Sequence, residues 1–395
     1  MKNFFLCSIV TFYFFNISAE NQPDYGVVIT PIADLVGSPI QTFFPAMSTD
    51  NAYKQLILCS AEKKLWQGCP RLHQLIAHEV VEIIDENDHE FKIKTPHLFY
   101  LIGNSPEQQN IFWAQKKNIA LLDDLEKKYD VHKSNFPFFN KHNTLIVLSR
   151  PFKDPTTKIV YSAGTQFVAK TIYPNRFAKV LIFDPAKKKF NLIKIDSCYY
   201  IIKSKFIGQQ KANFVKLLRD WAHQKYIAYV FGGCSFTKPC NKLFDKKTTN
   251  GTINSYVRLE SENTIKNGFD CAGLIFRAAQ AAGLNFPYKN THTIKECLPA
   301  LTNHDRLVEG DLIWIPGHIM AVSDLTKNLL IEARGYSHGY GIVHEIPLDK
   351  VFKNIRTYQD LIDAYHKKEI LYRLDDQGNI RDTFKEFKLL KMVYQ

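Results

Sequence analysis

Residues 268 to 284, GFDCAGLIFRAAQAAGL, place a thiol where a helix should begin. Asp270 is a good N-cap residue, Ala272, Leu274, Ala278, Ala279, Ala281 and Ala282 favour helix, and Gly283 suits the stop. Leu274, Ile275, Ala278 and Ala282 fall at helical spacing, giving a face to bury. Cys271 then lands at the N-terminus, where unpaired amide N–H groups and the helix dipole favour an anion. The thiolate is the nucleophilic form, and this placement is expected to hold the Cys271 pKa below the ordinary ~8.5. The same amides suit the oxyanion of an acyl-transfer intermediate.

A thiolate nucleophile needs a base with an orienting partner. In EGDLIWIPGHIMAVSDLTKNLLIEARG, residues 309 to 335, Leu312 to Ile315 reads as a strand and Pro316-Gly317 as a turn. His318 to Val322 reads as a second strand, Ser323 to Lys327 as a loop, and a third strand starts at Asn328. If Val322 pairs with Asn328, His318 stands directly opposite Glu332, the two side chains on one face at ~5 Å. The carboxylate would accept the imidazole N–H, fix its tautomer and favour imidazolium, so that His318 and Cys271 form an ion pair. A slip of one residue would separate the faces. His338 and His344, in or beyond the GYSHGYG loop, are rival orienters. In AYVFGGCS, residues 228 to 235, Tyr229 could offer its hydroxyl near the oxyanion, and Gly232 and Gly233 would let a substrate backbone approach closely. The same segment also reads as a plain strand ending in a glycine turn.

These residues need a scaffold, and 395 residues suffice for two to four domains with a sizeable core. Lys2, a dozen mostly apolar residues and Ile17-Ser18-Ala19 have the layout of a cleaved signal peptide, residues 1–19, with an uncleaved anchor as the alternative. No later segment is suited to crossing a membrane, so the mature chain is expected to be periplasmic, extracellular or associated with a cell wall. Residues 20–71 look irregular, with YGVVITPIADL their most regular part. Short β-type runs split by Pro, Gly and Asn/Asp turns suggest two small β-barrels, at 72–135 and 136–203. Residues 204–225 switch to helical period, with Phe214, Leu217, Leu218 and Trp221 on one face. An α+β unit follows at 226–365, and the charged tail at 366–395 reads as peripheral.

Export implies an oxidising compartment. Without the leader seven cysteines remain, an odd count that leaves at least one unpaired within the chain; Cys59 with Cys69 and Cys234 with Cys240 have spacings suited to local disulfides. No pair forms a zinc or redox Cys-x-x-Cys signature. Residues 150 to 225 hold 16 Lys or Arg against four Asp, as much excess as the net charge of +12 for the whole chain. That segment reads as a solvated surface or as a site for an anionic cell-wall polymer; nothing supports nucleic-acid binding.

Taken together these residues resemble the NlpC-type (P-sixty) bacterial cell-wall cysteine peptidases. The matching pieces are Tyr229-Val230-Phe231-Gly232-Gly233, Asp270-Cys271-Ala272-Gly273-Leu274, Gly310-Asp311-Leu312 and His318, with Glu332 standing where the family's third polar residue stands. The resemblance covers residues 226 to 365. It implies a papain-like catalytic fold that needs no metal or other cofactor, with Cys271, His318, Glu332 and Tyr229 catalytic and Asp270, Gly232, Gly233 and Ala272 lining the substrate site. The upstream barrels look, more weakly, like the SH3-like domains of members that cleave the γ-D-glutamyl bond to a diamino acid in peptidoglycan stem peptides, often with a free N-terminal L-Ala. Three departures stand out. Ala272 replaces a Ser that helps hold the substrate's amino end in some relatives, Glu332 replaces His and should raise the pKa of His318, and residues 236–266 form an insert. A non-catalytic wall-binding protein and a thiol amidase, deamidase or acyltransferase acting on another molecule are the alternative functions.

Overall fold

A computed structural model describes residues 24–59, 69–103, 105, 107–140, 144–224, 226–238, 267–335 and 340–392 (the side chain of Leu58 apart), and the backbone of 244–249 and 252–258. The signal peptide expected at 1–19 lies outside the described residues, as do Cys240, His338 and the side chains of residues 239–266. No helix among the described residues is long and apolar enough to cross a membrane.

The first sheet has seven strands: β1 (Asp24–Val28), β2 (Ile32–Val36), β3 (Arg71–Ile76), β4 (Val80–Glu86), β5 (Glu90–Lys94), β6 (Ile111–Gln115) and β7 (Ile119–Leu121). They run in the order β3-β2-β6-β5-β4-β1-β7. The segment at 20–71 is therefore not irregular throughout. β1 pairs with β4 and β7, β2 pairs with β3 and β6, and helix α1 (Thr49–Cys59) follows. Val27, Val28, Ala33, Leu35 and Val36 are fully buried, and the partners that bury them lie mostly far along the chain.

A second sheet, β8 (Leu145–Leu148), β9 (Gln166–Tyr173), β10 (Phe177–Asp184), β11 (Lys189–Asp196) and β12 (Tyr200–Ile202), runs in the order β11-β10-β9-β8-β12. The basic excess falls here: Lys170, Lys179, Lys189 and Lys194 are exposed on the β9–β11 meander. After α2 (Leu122–Tyr129), the expected connecting helix is α3 (Ile207–Ala222), and the expected face of Phe214, Leu217, Leu218 and Trp221 is buried. Trp221 ties three parts together. Its Nε1–H donates to the Ser149 carbonyl at 2.7 Å, and its ring stacks on Phe269, centroids 5.1 Å apart, two residues before the thiol.

The third sheet consists of β13 (Leu312–Ile315), β14 (His318–Asp324), β15 (Leu329–Arg334), β16 (Ile342–Pro347) and β19 (Lys388–Leu390), in the order β16-β15-β14-β13-β19; β17 (Leu371–Leu374) and β18 (Ile380–Phe384) make a separate hairpin. One apolar cluster runs from the first sheet (Leu35, Leu75, Ile93, Phe112) through helix α4 (Cys271–Ala282) to Ile319, Ala321 and Ile331. The opposite face of the third sheet, with Ile313, Met320, Leu330 and Leu389, packs on Leu361 of α6 (Tyr358–Lys367) and Leu371; α5 (Thr291–Cys297) lies between α4 and β13 in the chain. The tail is thus not peripheral. β19 adds a strand beside β13, and Leu389, Leu390 and Met392 are buried, because Leu-Leu inside a charged run is enough to fill an edge position.

Cys59, Cys69, Cys198, Cys234, Cys271 and Cys297 are all free thiols, so neither local disulfide forms. Cys234 is instead a buried small group whose thiol donates to the Gly273 carbonyl at 3.4 Å.

Candidate active site

The helix at Cys271 forms as its sequence requires. Asp270 stays extended (φ −81°, ψ 174°) and its side chain accepts from the Gly273 N–H, while Gly283 ends the helix at φ 89°. The opening turn is clamped by glycines. Gly233 donates to the Val230 carbonyl and accepts from the Asp270 N–H. A Cβ on Gly273 would lie 2.0 Å from the Gly233 carbonyl oxygen, and one on Gly233 would lie 2.5 Å from that of Gly268. Gly232, at φ 66°, abuts the Arg71 backbone of β3. Gly232 and Gly233 are therefore buried for close approach of the protein's own backbone, not of substrate. Farther along the helix, the fully buried Arg277 fixes α4 to the first sheet: it donates to Glu79 at 2.7 Å, to the Cys234 carbonyl at 2.9 Å and to that of Gln74 at 3.0 Å.

Cys271 packs in one cluster with Ile319, and the backbone N–H groups of Ile319 and Ala272 favour its thiolate. Ile319 directly follows His318, so the strand that carries the imidazole runs past the thiol. Ala272 is buried. The expected register is off by two residues. Ala321 pairs with Ile331 and Val322 with Leu330, and a bulge before Asp324 absorbs Ser323. Continued along the ladder, this places Arg334 opposite His318 and Glu332 opposite Met320. A slip of two preserves the face where a slip of one reverses it. His318 Nε2 consequently still reaches Glu332 Oε2 at 2.6 Å, diagonally across the strands. Ser323 is held at the bulge by the Arg219 side chain of α3 and by Glu345.

Glu332, 1% exposed, has further partners that the sequence did not reveal. Arg373 of β17 donates to Oε1 at 2.5 Å, and His344 of β16 lies 3.0 Å from the same oxygen. His344, a rival to Glu332 at the sequence level, is its companion. Burial opposes the Glu332 charge, but Arg373 and the two imidazoles hold the carboxyl well below its ordinary range. It is an anion, and its field is largely spent on Arg373.

That balance decides the state of His318. Glu332 favours imidazolium, yet the imidazole pKa is lowered to about 4, because burial dominates and Arg334 and Arg373 add to it. Cys271 is likewise pushed up to about 12 by burial and by adjacent Asp270, against the relief given by the Ile319 N–H and Lys289. The resting pair is a neutral thiol and a neutral imidazole, not the expected ion pair. Desolvation outweighs the helix N-terminus. With Nε2–H donated to Glu332, Nδ1 is the basic nitrogen that is left to take a proton.

Asp270 does not face an empty subsite. Lys289, buried to 1%, puts Nζ at 2.7 and 2.8 Å from the two Asp270 oxygens. The negative charge that could recruit a substrate ammonium is neutralised from within. Tyr229 lies beside the site: its N–H donates to the Gly341 carbonyl, it bridges to Phe269, and its ring flanks Gly335.

Buried neutral histidines make the fold sensitive to acid. His318 and His78, both lowered to about 4, stay neutral when folded but protonate near 6.5 when unfolded. Their contribution is complete above pH 6.5 and falls away as the pH drops towards 4, each by on the order of 3 kcal/mol. Urea midpoints measured between pH 7 and 4 should fall steeply; a flat profile would rule out burial of the neutral forms.

Comparison with known proteins agrees on the fold. No family model matches the sequence and no curated protein matches it. Among solved structures, an NlpC/P60 family protein from Bacillus cereus is similar at a TM-score of 0.53 and 13% identity, over 82% of this chain and 94% of that one. NlpC1 from Trichomonas vaginalis matches at TM-score 0.31 and 11% identity, over 84% and 91%. The peptidoglycan hydrolase RipB from Mycobacterium tuberculosis matches at 0.21 and 19%, over 36% and 60%. Only the first is similar enough to carry an argument, and that argument concerns the fold: the chain is NlpC/P60-like.

Proposed function

We propose that this NlpC/P60-like chain is an exported cysteine endopeptidase that hydrolyses peptidoglycan stem peptides at the γ-D-glutamyl to diamino acid bond. The observation that carries the reading is the thiol of Cys271 at a capped helix start, beside the strand that presents His318 hydrogen-bonded to an ionised Glu332. In the proposed reaction the Cys271 proton passes to His318 Nδ1 as the sulfur attacks the γ-carbonyl. Concerted transfer avoids building a buried ion pair before substrate is bound. The Cys271 backbone N–H and the Tyr229 hydroxyl stabilise the oxyanion. His318 then protonates the leaving amine, and water releases the acyl group. Glu332 holds the imidazole throughout. In this reading the first two sheets are SH3-like barrels, the third domain is papain-like, and residues 1–19 direct export to the periplasm or cell wall. The exposed lysines of the second sheet suit an anionic wall polymer.

The Asp270–Lys289 pair adds a specificity. With the charge of Asp270 already matched, a free N-terminal amine on the substrate gains little, so stems still attached at their N-terminus are accepted. An L-Ala-γ-D-Glu-diamino acid peptide and its N-acetylated form should be cleaved with kcat/KM values within about threefold. A preference of about 100-fold or more for the free amine would show instead that Asp270 binds substrate.

A further inference from the structure

Arg334 ends β15, opposite His318 when the ladder is continued, and is 6% exposed at its side chain. Among the described residues its Nε has no hydrogen-bond partner, and its one carboxylate partner, Asp382 of β18, stands 3.6 Å from Nη2, beyond hydrogen-bond distance. The neighbouring anion, Glu332, is already taken by Arg373, His318 and His344. Two other buried arginines are better met: Arg277 has carboxylate and carbonyl acceptors, and Arg373 has Glu332. A guanidinium presents five donors in a planar fork, and burying it without acceptors is costly unless something arrives to fill them. Burial, with Arg373 nearby, depresses its pKa to about 10, against the pull of Glu332 and Asp382.

We propose that Arg334 is a specificity residue that binds a substrate carboxylate beside the scissile amide. This rests on the reading of the substrate as a γ-linked D-glutamyl peptide. Such a residue carries a free α-carboxylate separated from the reacting carbonyl by three carbons, whereas an α-linked peptide has no anion at that place. A bidentate guanidinium–carboxylate pair is the geometry that the unfilled fork suits.

The test uses L-Ala-γ-D-Glu-diamino acid peptide and the same peptide with its glutamyl α-carboxylate converted to carboxamide. The full chain should show a KM about 30-fold lower for the carboxylate form. Arg334→Met should raise that KM about 30-fold, leave the carboxamide KM unchanged and keep kcat within about threefold for both; Arg334→Lys should recover part of the preference. Equal KM values for the two peptides in the unmodified protein, or an equal fall in kcat on both in Arg334→Met, overturn the proposal. If neither peptide is cleaved, the catalytic reading fails. Calorimetric binding to Cys271→Ala then decides on Arg334 separately: about 30-fold tighter binding of the carboxylate form, lost in Cys271→Ala/Arg334→Met, supports it. Equal binding of the two, or none, overturns it.

Discussion

Cys271→Ala should abolish the release of amino groups from stem peptides, a fall of at least about 10⁴-fold in kcat/KM, while the protein stays folded. The structural cost is small. Alanine is the best helix former, the Asp270 cap and the Gly273–Gly233 contact do not depend on the sulfur, and the cavity left behind is that of one atom, about 1 kcal/mol. Cys271→Ser should be as inactive, because a hydroxyl in this buried setting holds its proton far more firmly than a thiol. The readouts are amine release and a urea melt on the same preparation. Activity retained by either variant would remove the sulfur from the mechanism.

Glu332→Gln should lower kcat/KM by about 10²- to 10⁴-fold and destabilise the protein by about 3 kcal/mol or more. Both effects come from one carboxylate. The amide no longer dictates which imidazole nitrogen carries the proton, and Arg373, 1% exposed at its side chain, is left without its anion. Stability and activity can be separated. Glu332→Gln with Arg373→Met replaces both charges, so the melt should recover most of the loss while turnover stays low. A double variant that regains activity would mean that Glu332 serves only to neutralise Arg373.

What the sequence disclosed and what it hid divide along the range of the interactions. The helix around Cys271 was legible because its cap, its formers and its stop lie within 14 residues, Asp270 to Gly283. The His318–Glu332 contact was legible because strand alternation has period two, which a two-residue register error leaves intact. The bulge at Ser323 was not, since it depends on Arg219 in α3 and Glu345 in β16. Arg373 and Lys289 were missed for the same reason: nothing near either in the chain marks it as the counter-ion of Glu332 or Asp270. The β1 and β2 strands passed for irregular chain because each is five residues long and most of their partners are distant. The low pKa expected of Cys271 followed from the helix N-terminus, a local feature. Its burial is a tertiary one, and it reverses the sign.

Mass spectrometry of stem peptides incubated with the unmodified chain and with Cys271→Ala tests the central claim most directly. The expected product is a fragment pair whose masses place the cut between γ-D-glutamate and the diamino acid, formed only by the unmodified chain. Intact peptides, a cut at another bond, or the same fragments from Cys271→Ala would contradict it.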